Sequence, residues 1–270
     1  MSYLKTLKTL LISTALFGVI GYASSYWIKP KWKTEAEITH PTLSKLGNYY
    51  ALFSMYQLIQ GKDNVESKIP ELVYKNFTEQ LVSYDNLKNF WKNSTYYKQK
   101  ISENTTKNAQ LLDDLIKNTH FQPLSYNTGK ITLTLDEAEE ARTQLFSLLD
   151  NNNIIIRKVM YDDLILRWKN LFTQVKTAAE LNLGNIPYGN SIERQDWQGK
   201  LNMMKSVNPL DDNFTAFHFT KSPQQPEEKG RYSWGGIGAG MGLLLGLFSL
   251  LFRRQRKIHC SIIKLKRHQS

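Results

Sequence analysis

The chain has 270 residues, 41% of them hydrophobic, which is enough for one medium domain or two small ones. Its mean hydropathy is negative, which excludes a polytopic transporter and limits any membrane segments to a few. The net charge of +11 does not describe a basic surface for nucleic acid, because residues 1–28 and 253–270 hold nine Lys and Arg with no Asp or Glu, leaving 26 basic against 24 acidic residues in between. An excess confined to two short tails beside apolar runs is the positive-inside pattern.

Residues 1–9 read as a cytoplasmic tail. Leu10–Ile28 carries no charge over 19 residues, about 28 Å as a helix and close to the thickness of a hydrocarbon core. Tyr22, Tyr26 and Trp27 gather at its outer end as an aromatic belt does. The run is longer than a signal-peptide core and no small-x-small cleavage site follows, so it reads as a retained anchor, transmembrane helix 1.

Residues 29–231 read as a periplasmic α+β domain. Trp32–Thr39 alternates and ends at His40-Pro41, a strand leaving the membrane. A helical stretch follows over Leu43–Ile59. Pro70 suits the first turn of a helix covering Glu71–Lys100, with Leu72, Val73, Phe77, Leu81, Tyr84, Leu87 and Trp91 at helical spacing. Lys107–Asn118 is a further helix, Phe121–Tyr126 is extended, and Lys130–Leu135 alternates as a strand after the turn Asn127-Thr128-Gly129.

Asp136 reads as an N-cap, with Glu139 at the capping-box position. Neither Pro nor Gly then occurs until Gly184. Read as one helix, Glu137–Leu183 extends about 70 Å and should project. Asn151-Asn152-Asn153 is its weak point, where a kink or break is expected. Asp150, Lys158, Asp162 and Asp163 read as solvated. Leu164, Ile165, Trp168, Leu171, Phe172 and Val175 form an apolar stripe for packing. Asn185–Asn190 reads as a turn, Ile192–Met204 as a last helix, and Phe214–Thr220 as a strand. Pairing that strand with the one at Trp32 would bring both membrane helices side by side. Pro223 and Pro226 stiffen the link to the second of them.

Tyr232–Phe252 is again uncharged and runs straight into Arg253-Arg254. It reads as transmembrane helix 2, with residues 253–270 as a basic cytoplasmic tail. Gly238, Gly242 and Gly246 have the spacing that lets two helix backbones approach closely. Either helix 1 or a neighbouring subunit would serve as partner. Cys260, the single cysteine, lies in the tail and reads as an inert cytosolic thiol.

No catalytic, cofactor or metal site is expected. His40, His120 and His218 are scattered without metal-ligand spacing. Asp113-Asp114, Asp162-Asp163 and Asp211-Asp212 are adjacent pairs, and neighbours on a helix point to different sides.

Three stretches resemble the Wzz family of polysaccharide co-polymerases, the chain-length determinants of surface polysaccharides. They are WKTEAEITHPTLSKLGNYY from Trp32 to Tyr50, then Phe90–Phe121 with FWKNSTYYKQK and LLDDLI, and PLDDNFTAFHFTKSPQQPEE from Pro209. The middle stretch looks like the branch acting on enterobacterial common antigen. The resemblance implies a non-enzymatic inner-membrane protein with both termini cytoplasmic, forming a homo-oligomeric ring. That ring would act with the polymerase and its lipid-linked glycan to modulate chain length of a common-antigen or lipopolysaccharide O-antigen type polymer. It makes Pro223, Pro226, Gly238, Gly242 and Gly246 assembly residues. The sequence departs from the family in a shorter middle and in having Gly230 and Ser233 where a further Pro is usual. A two-anchor periplasmic sensor or adaptor is the alternative, but only about 18 residues follow the second helix, too few for an output module.

Overall fold

Helix α1 (Ser2–Ser24) begins well before the uncharged run and takes the expected N-terminal tail into the same helix. The computed structural model describes residues 2–24, 30–62, 68–181, 183, 196–229 and 235–248. The aromatic pair Tyr26 and Trp27, the turn at 185–190, the start of the helix expected at Ile192, Gly230, Ser233 and the tail with Cys260 lie outside those residues, as do 25–28, 232–234 and 249–252 of the two apolar runs. Among the described residues no helix is long and apolar enough to cross a membrane.

Strand β1 (Lys31–Thr39) follows, with Thr34, Ala36 and Ile38 buried at alternate positions. A short 3-10 turn over Leu43–Leu46 leads through Gly47 into α2 (Asn48–Ile59). The single helix expected over Glu71–Lys100 is three: α3 (Lys68–Val82), α4 (Tyr84–Asn93) and α5 (Thr95–Lys100). The breaks fall at Ser83 and Ser94, both in extended conformation. At Ser94 the cause is visible: its hydroxyl accepts from the Tyr97 N–H at 3.1 Å and caps α5. Serine competes with the helix ladder for local backbone groups in this way.

Helix α6 (Thr105–Lys117), capped by Asn104, leads into the hairpin of β2 (Thr119–Ser125) and β3 (Thr128–Leu135). Beyond it lie α7 (Ala138–Glu180), α8 (Trp197–Lys205), β4 (His218–Lys221), β5 (Glu227–Lys229) and a helix α9 over residues 235–248. Helix α7 starts two residues after Asp136, whose carboxylate pairs with Lys31 Nζ at 2.6 Å.

The chain forms two compact units, residues 1–33, 136–138 and 227–270 in one, and 34–135 and 139–226 in the other. In the first, β5 pairs antiparallel with the start of β1, Lys31 opposite Lys229 and Lys33 opposite Glu227. In the second, the strands run in the order β2-β3-β1-β4, with β4 antiparallel to β1 and Ile38 opposite Phe219. The returning strand is shorter than its alternation predicts. Phe214, Ala216 and Phe217 are buried but unpaired in the sheet, because the Thr215 N–H donates to the Lys45 carbonyl at 2.7 Å and the Ala216 N–H to Asn153 Oδ1 at 2.8 Å.

Those bonds explain the asparagine run. Helix α7 passes through it unbroken, 43 residues and about 64 Å long. Asn152 is fully buried; its Nδ2 donates to the Phe77 carbonyl at 3.0 Å and its Oδ1 accepts from Asn86 Nδ2 at 3.1 Å. Asn153 Nδ2 donates to the Phe214 carbonyl at 3.2 Å. The expected weak point is therefore an anchor, because the Asn152 and Asn153 amides find partners outside the helix and leave the helical ladder intact.

Nor does the C-terminal half of α7 stand bare. Leu171 and Val175 pack with Ile59 of α2 and Leu201 and Met204 of α8, flanked by Trp168, Phe172 and Trp197. Lower down, Tyr161 stacks on Tyr49 at 6.0 Å, and Phe214 meets both rings edge-on. Contacts at Tyr49 and again at Ile59 mean that α2 runs alongside α7 in the same direction. The apolar stripe is thus taken up largely within the chain, although Ile165 stays exposed. The expected solvated face carries ion pairs four residues apart, Lys158 with Asp162 and Arg167 with Asp163.

Replacing Asn152 by Leu strips the buried Asn86 amide of its partner and adds bulk. The expected loss is about 2–4 kcal/mol of stability, measured by denaturant unfolding of the detergent-solubilised chain. Asn151→Ala, one position away and outside the buried network, is expected to change stability by less than about 0.5 kcal/mol.

Candidate functional site

The residues singled out in the sequence fall on two features. The first is the link between β4 and β5. Pro223 is buried there and Pro226 half-buried. Prolines have no N–H to give a sheet, so the residue after Pro223 makes the attachment: the Gln224 N–H donates to the Glu35 carbonyl at 3.2 Å, and its carbonyl accepts from Thr34 Oγ1 at 3.0 Å. The link is held against the edge of β1 while its prolines fix φ.

The second is the seam between α9 and α1. A Cβ placed on Gly238 would overlap the Phe17 carbonyl oxygen and stand 3.0 Å from Gly21 Cα. On Gly242 it would lie 2.6 Å from the Ser13 carbonyl oxygen and 3.1 Å from Thr14 Cα. On Gly246 it would meet Ser13 Oγ at 2.6 Å and Leu10 Cδ2 at 2.9 Å, side-chain atoms with some freedom to yield. Gly236 and Gly240, spaced just as regularly, face open space. Backbone lies against backbone at Gly238 and Gly242, the close approach that small residues permit.

A third feature has no signature that the sequence alone isolates. Two of the family-like stretches meet at Gly47, whose φ of +53° suits glycine. A Cβ there would run into the Asp211 carboxylate. Asn48 Nδ2 donates to the Pro209 carbonyl at 2.7 Å, and Tyr161 Oη donates to the Asp211 carbonyl at 2.7 Å. Arg157 binds Asp212 through both its carbonyl, at 2.9 Å, and its carboxylate, at 3.3 Å. Leu-Gly-x-Tyr-Tyr and Pro-Leu-Asp-Asp are both visible in the sequence, but only the fold shows that they touch.

The electrostatics are those of a structural joint. Burial pushes the Tyr161 hydroxyl up to about 12, helped by Asp211, and burial, then the Asp163 carboxylate, push Tyr49 further up. Both stay neutral over the physiological range, the opposite of what a proton-transfer group needs. Two of the three candidate carboxylate pairs serve local roles: Asp162 and Asp163 pair with Lys158 and Arg167, and Asp211 accepts from the Asn213 N–H at 3.2 Å, while Asp113-Asp114 lies on α6. His40 Nδ1 lies 3.2 Å from the Pro41 carbonyl, while His120 and His218 sit on β2 and β4, the outermost strands of the β2-β3-β1-β4 order. Among the described residues no group of three His, Cys, Asp or Glu could hold a metal.

This arrangement, two strands returning beside one another and a long helix rooted in a small α/β base, is the polysaccharide co-polymerase fold. A full-length bacterial polysaccharide co-polymerase superposes with a TM-score of 0.57, covering 93% of this chain and 94% of that one at 14% identity. A fragment of WzzB, the polysaccharide co-polymerase from Salmonella Typhimurium, gives a TM-score of 0.54 over 74% of this chain and 99% of its own, at 13% identity. At such identities the likeness is one of fold. In sequence the chain is similar to the ECA polysaccharide chain length modulation protein of Escherichia coli K12, 32% identical over 136 residues. That match takes in 48% of this chain and 39% of the relative, so the chain spans well under half of the relative's length. No protein-family model matches.

The seam makes a paired prediction. Gly242→Leu drives a side chain into the Ser13 backbone and is expected to destabilise the α1–α9 pair by about 1–3 kcal/mol. Gly240→Leu points into open space and should leave it unchanged. Thermal melting of the detergent-solubilised variants separates the two.

Proposed function

We propose that this chain modulates the chain length of a bacterial surface polysaccharide of the common-antigen or lipopolysaccharide O-antigen type. The observation that carries the reading is the sequence similarity to an ECA chain length modulation protein, combined with a co-polymerase fold over nearly the whole chain. The action is regulatory rather than catalytic: the Asp162-Asp163 and Asp211-Asp212 pairs are engaged in ion pairs and in the joint at Gly47. Copies of the chain assemble around a polymerase in the inner membrane and bias when it releases its lipid-linked glycan.

In this reading α1 and α9 belong to two membrane-spanning helices, at about residues 10–28 and 232–252. The apolar runs support it, since each carries no charge over about 20 residues. The nine tail charges favour cytoplasmic termini and a periplasmic domain between them. The glycine seam supports a fixed pairing of the two helices at the base of each subunit, and Pro223 and Pro226 stiffen the link that leads to it.

Deleting the gene and resolving the surface polysaccharide by gel electrophoresis is expected to replace a modal length distribution by a broad one; an unchanged distribution overturns the reading. Orientation has its own readout. Cys260, the chain's single thiol, should resist a membrane-impermeant maleimide in intact cells and react once the inner membrane is permeabilised. Labelling in intact cells would place the tail outside.

A further inference from the structure

Between α3, α4 and the middle of α7 lies a cleft of about 830 Å³, within the ordinary range for small-molecule sites. Its lining is polar and nearly uncharged. The amides of Gln80, Asn89 and Asn151 and the hydroxyls of Ser83 and Ser147 face it, and none of these side chains makes a hydrogen bond among the described residues. Ser83 stands at the start of α4 without capping it. The three helices that carry these groups are tied to one another beside the cleft by the buried Asn152, which bonds Asn86 of α4 and the Phe77 carbonyl of α3. The backbones that carry these donors and acceptors are therefore set in place before any ligand arrives, which lowers the cost of binding.

Charge narrows the ligand. No Lys or Arg lines the cleft, and its one ionisable group is the carboxylate of Asp85. A phosphate or uronate would find no cation and one repelling charge. Amides and hydroxyls, each able to donate and accept, match a compound rich in hydroxyl or acetamido groups. Phe90 and Ile155 supply apolar wall beside them for the C–H face of a ring.

We infer that the cleft formed by Gln80, Ser83, Asn89, Ser147 and Asn151 is a binding site for uncharged sugar residues. In the cell these would be segments of the growing glycan; that assignment of source rests on the polysaccharide reading above. The site reads neutral residues of a repeat unit and passes over acidic ones. It gives each subunit a hold on the polymer beside the middle of its long helix.

The test uses the full chain in a detergent without a sugar headgroup, with chitotriose, maltotriose and trigalacturonate as probes in saturation-transfer NMR. Binding of at least one neutral trisaccharide is expected, with trigalacturonate at least about tenfold weaker. Asn89→Ala combined with Asn151→Ala should weaken the neutral sugar by about tenfold, with a melting temperature like that of the parent. If the double variant melts early, Asn89→Ala alone, at an exposed helical position, is read instead and should still weaken binding by a few fold. Absence of binding by both neutral sugars overturns the site, as does binding indifferent to these substitutions or equal binding of the acidic trisaccharide. A deletion strain with altered chain lengths beside a chain that binds no sugar sinks the cleft alone. Sugar binding beside unaltered chain lengths sinks the polysaccharide role and leaves the cleft.

Discussion

The second unit depends on how a helix of 43 residues is held at its middle. Propensity alone cannot fix where such a helix meets the rest of the chain, and apolar packing alone tolerates sliding by a turn. Asn152 and Asn153 remove that freedom. One is bound to α3 and α4, the other to the segment that returns toward the sheet. An amide buried without its partners costs on the order of 1–3 kcal/mol, so a shifted register would leave several groups unsatisfied at once. Hydrophobic contacts at Leu145, Leu148 and Leu149 then supply bulk stabilisation around a position already specified.

From that fixed point the two halves of α7 take different tasks. In the half nearest the sheet, Phe146 meets the Phe219 ring of β4 edge-on at 6.0 Å. The far half is flanked by α2 and α8 and ends in the cluster around Leu171 and Val175. The joint at Gly47 and Asp211 sits between them, where both flanking segments leave the sheet. A residue larger than glycine at position 47 would clash with Asp211 and would also resist the positive φ. Two family-like motifs far apart in sequence thus have one geometric reason to occur together.

What the sequence makes legible follows from which signals are local. The alternation in β1 and β3 and the long uninterrupted run of α7 can be read directly, because period and the absence of Pro or Gly need no knowledge of the rest of the chain. The breaks at Ser83 and Ser94 escape such a reading because the apolar spacing continues across them: the side chains keep facing one core while the backbone turns beneath them. The Asn151–Asn153 run reads as weakness for a similar reason. Asparagine is a poor helix former on local grounds, and the partners that turn it into an anchor lie more than sixty residues away in sequence. Phe214–Phe217 alternates like a strand, yet its backbone bonds go to Lys45 and Asn153 instead of a neighbour strand.

The glycines show the same division between spacing and context. Gly236 and Gly240 repeat every four residues just as Gly238 and Gly242 do, so spacing can nominate a seam without saying which row forms it. The selection is made by α1, where Ser13, Phe17 and Gly21 present backbone to one row only. Its consequence is mechanical. Two helices in backbone contact at Gly238 and Gly242 have little room to rotate against each other without collision, so the pair behaves as one element. In the same unit, β5 ties residues 227–229 to the start of β1, and Lys31 ties that strand to Asp136 just ahead of the long helix. The segments that follow α1 and precede α9 are therefore fastened to each other and to the root of α7 by short-range contacts.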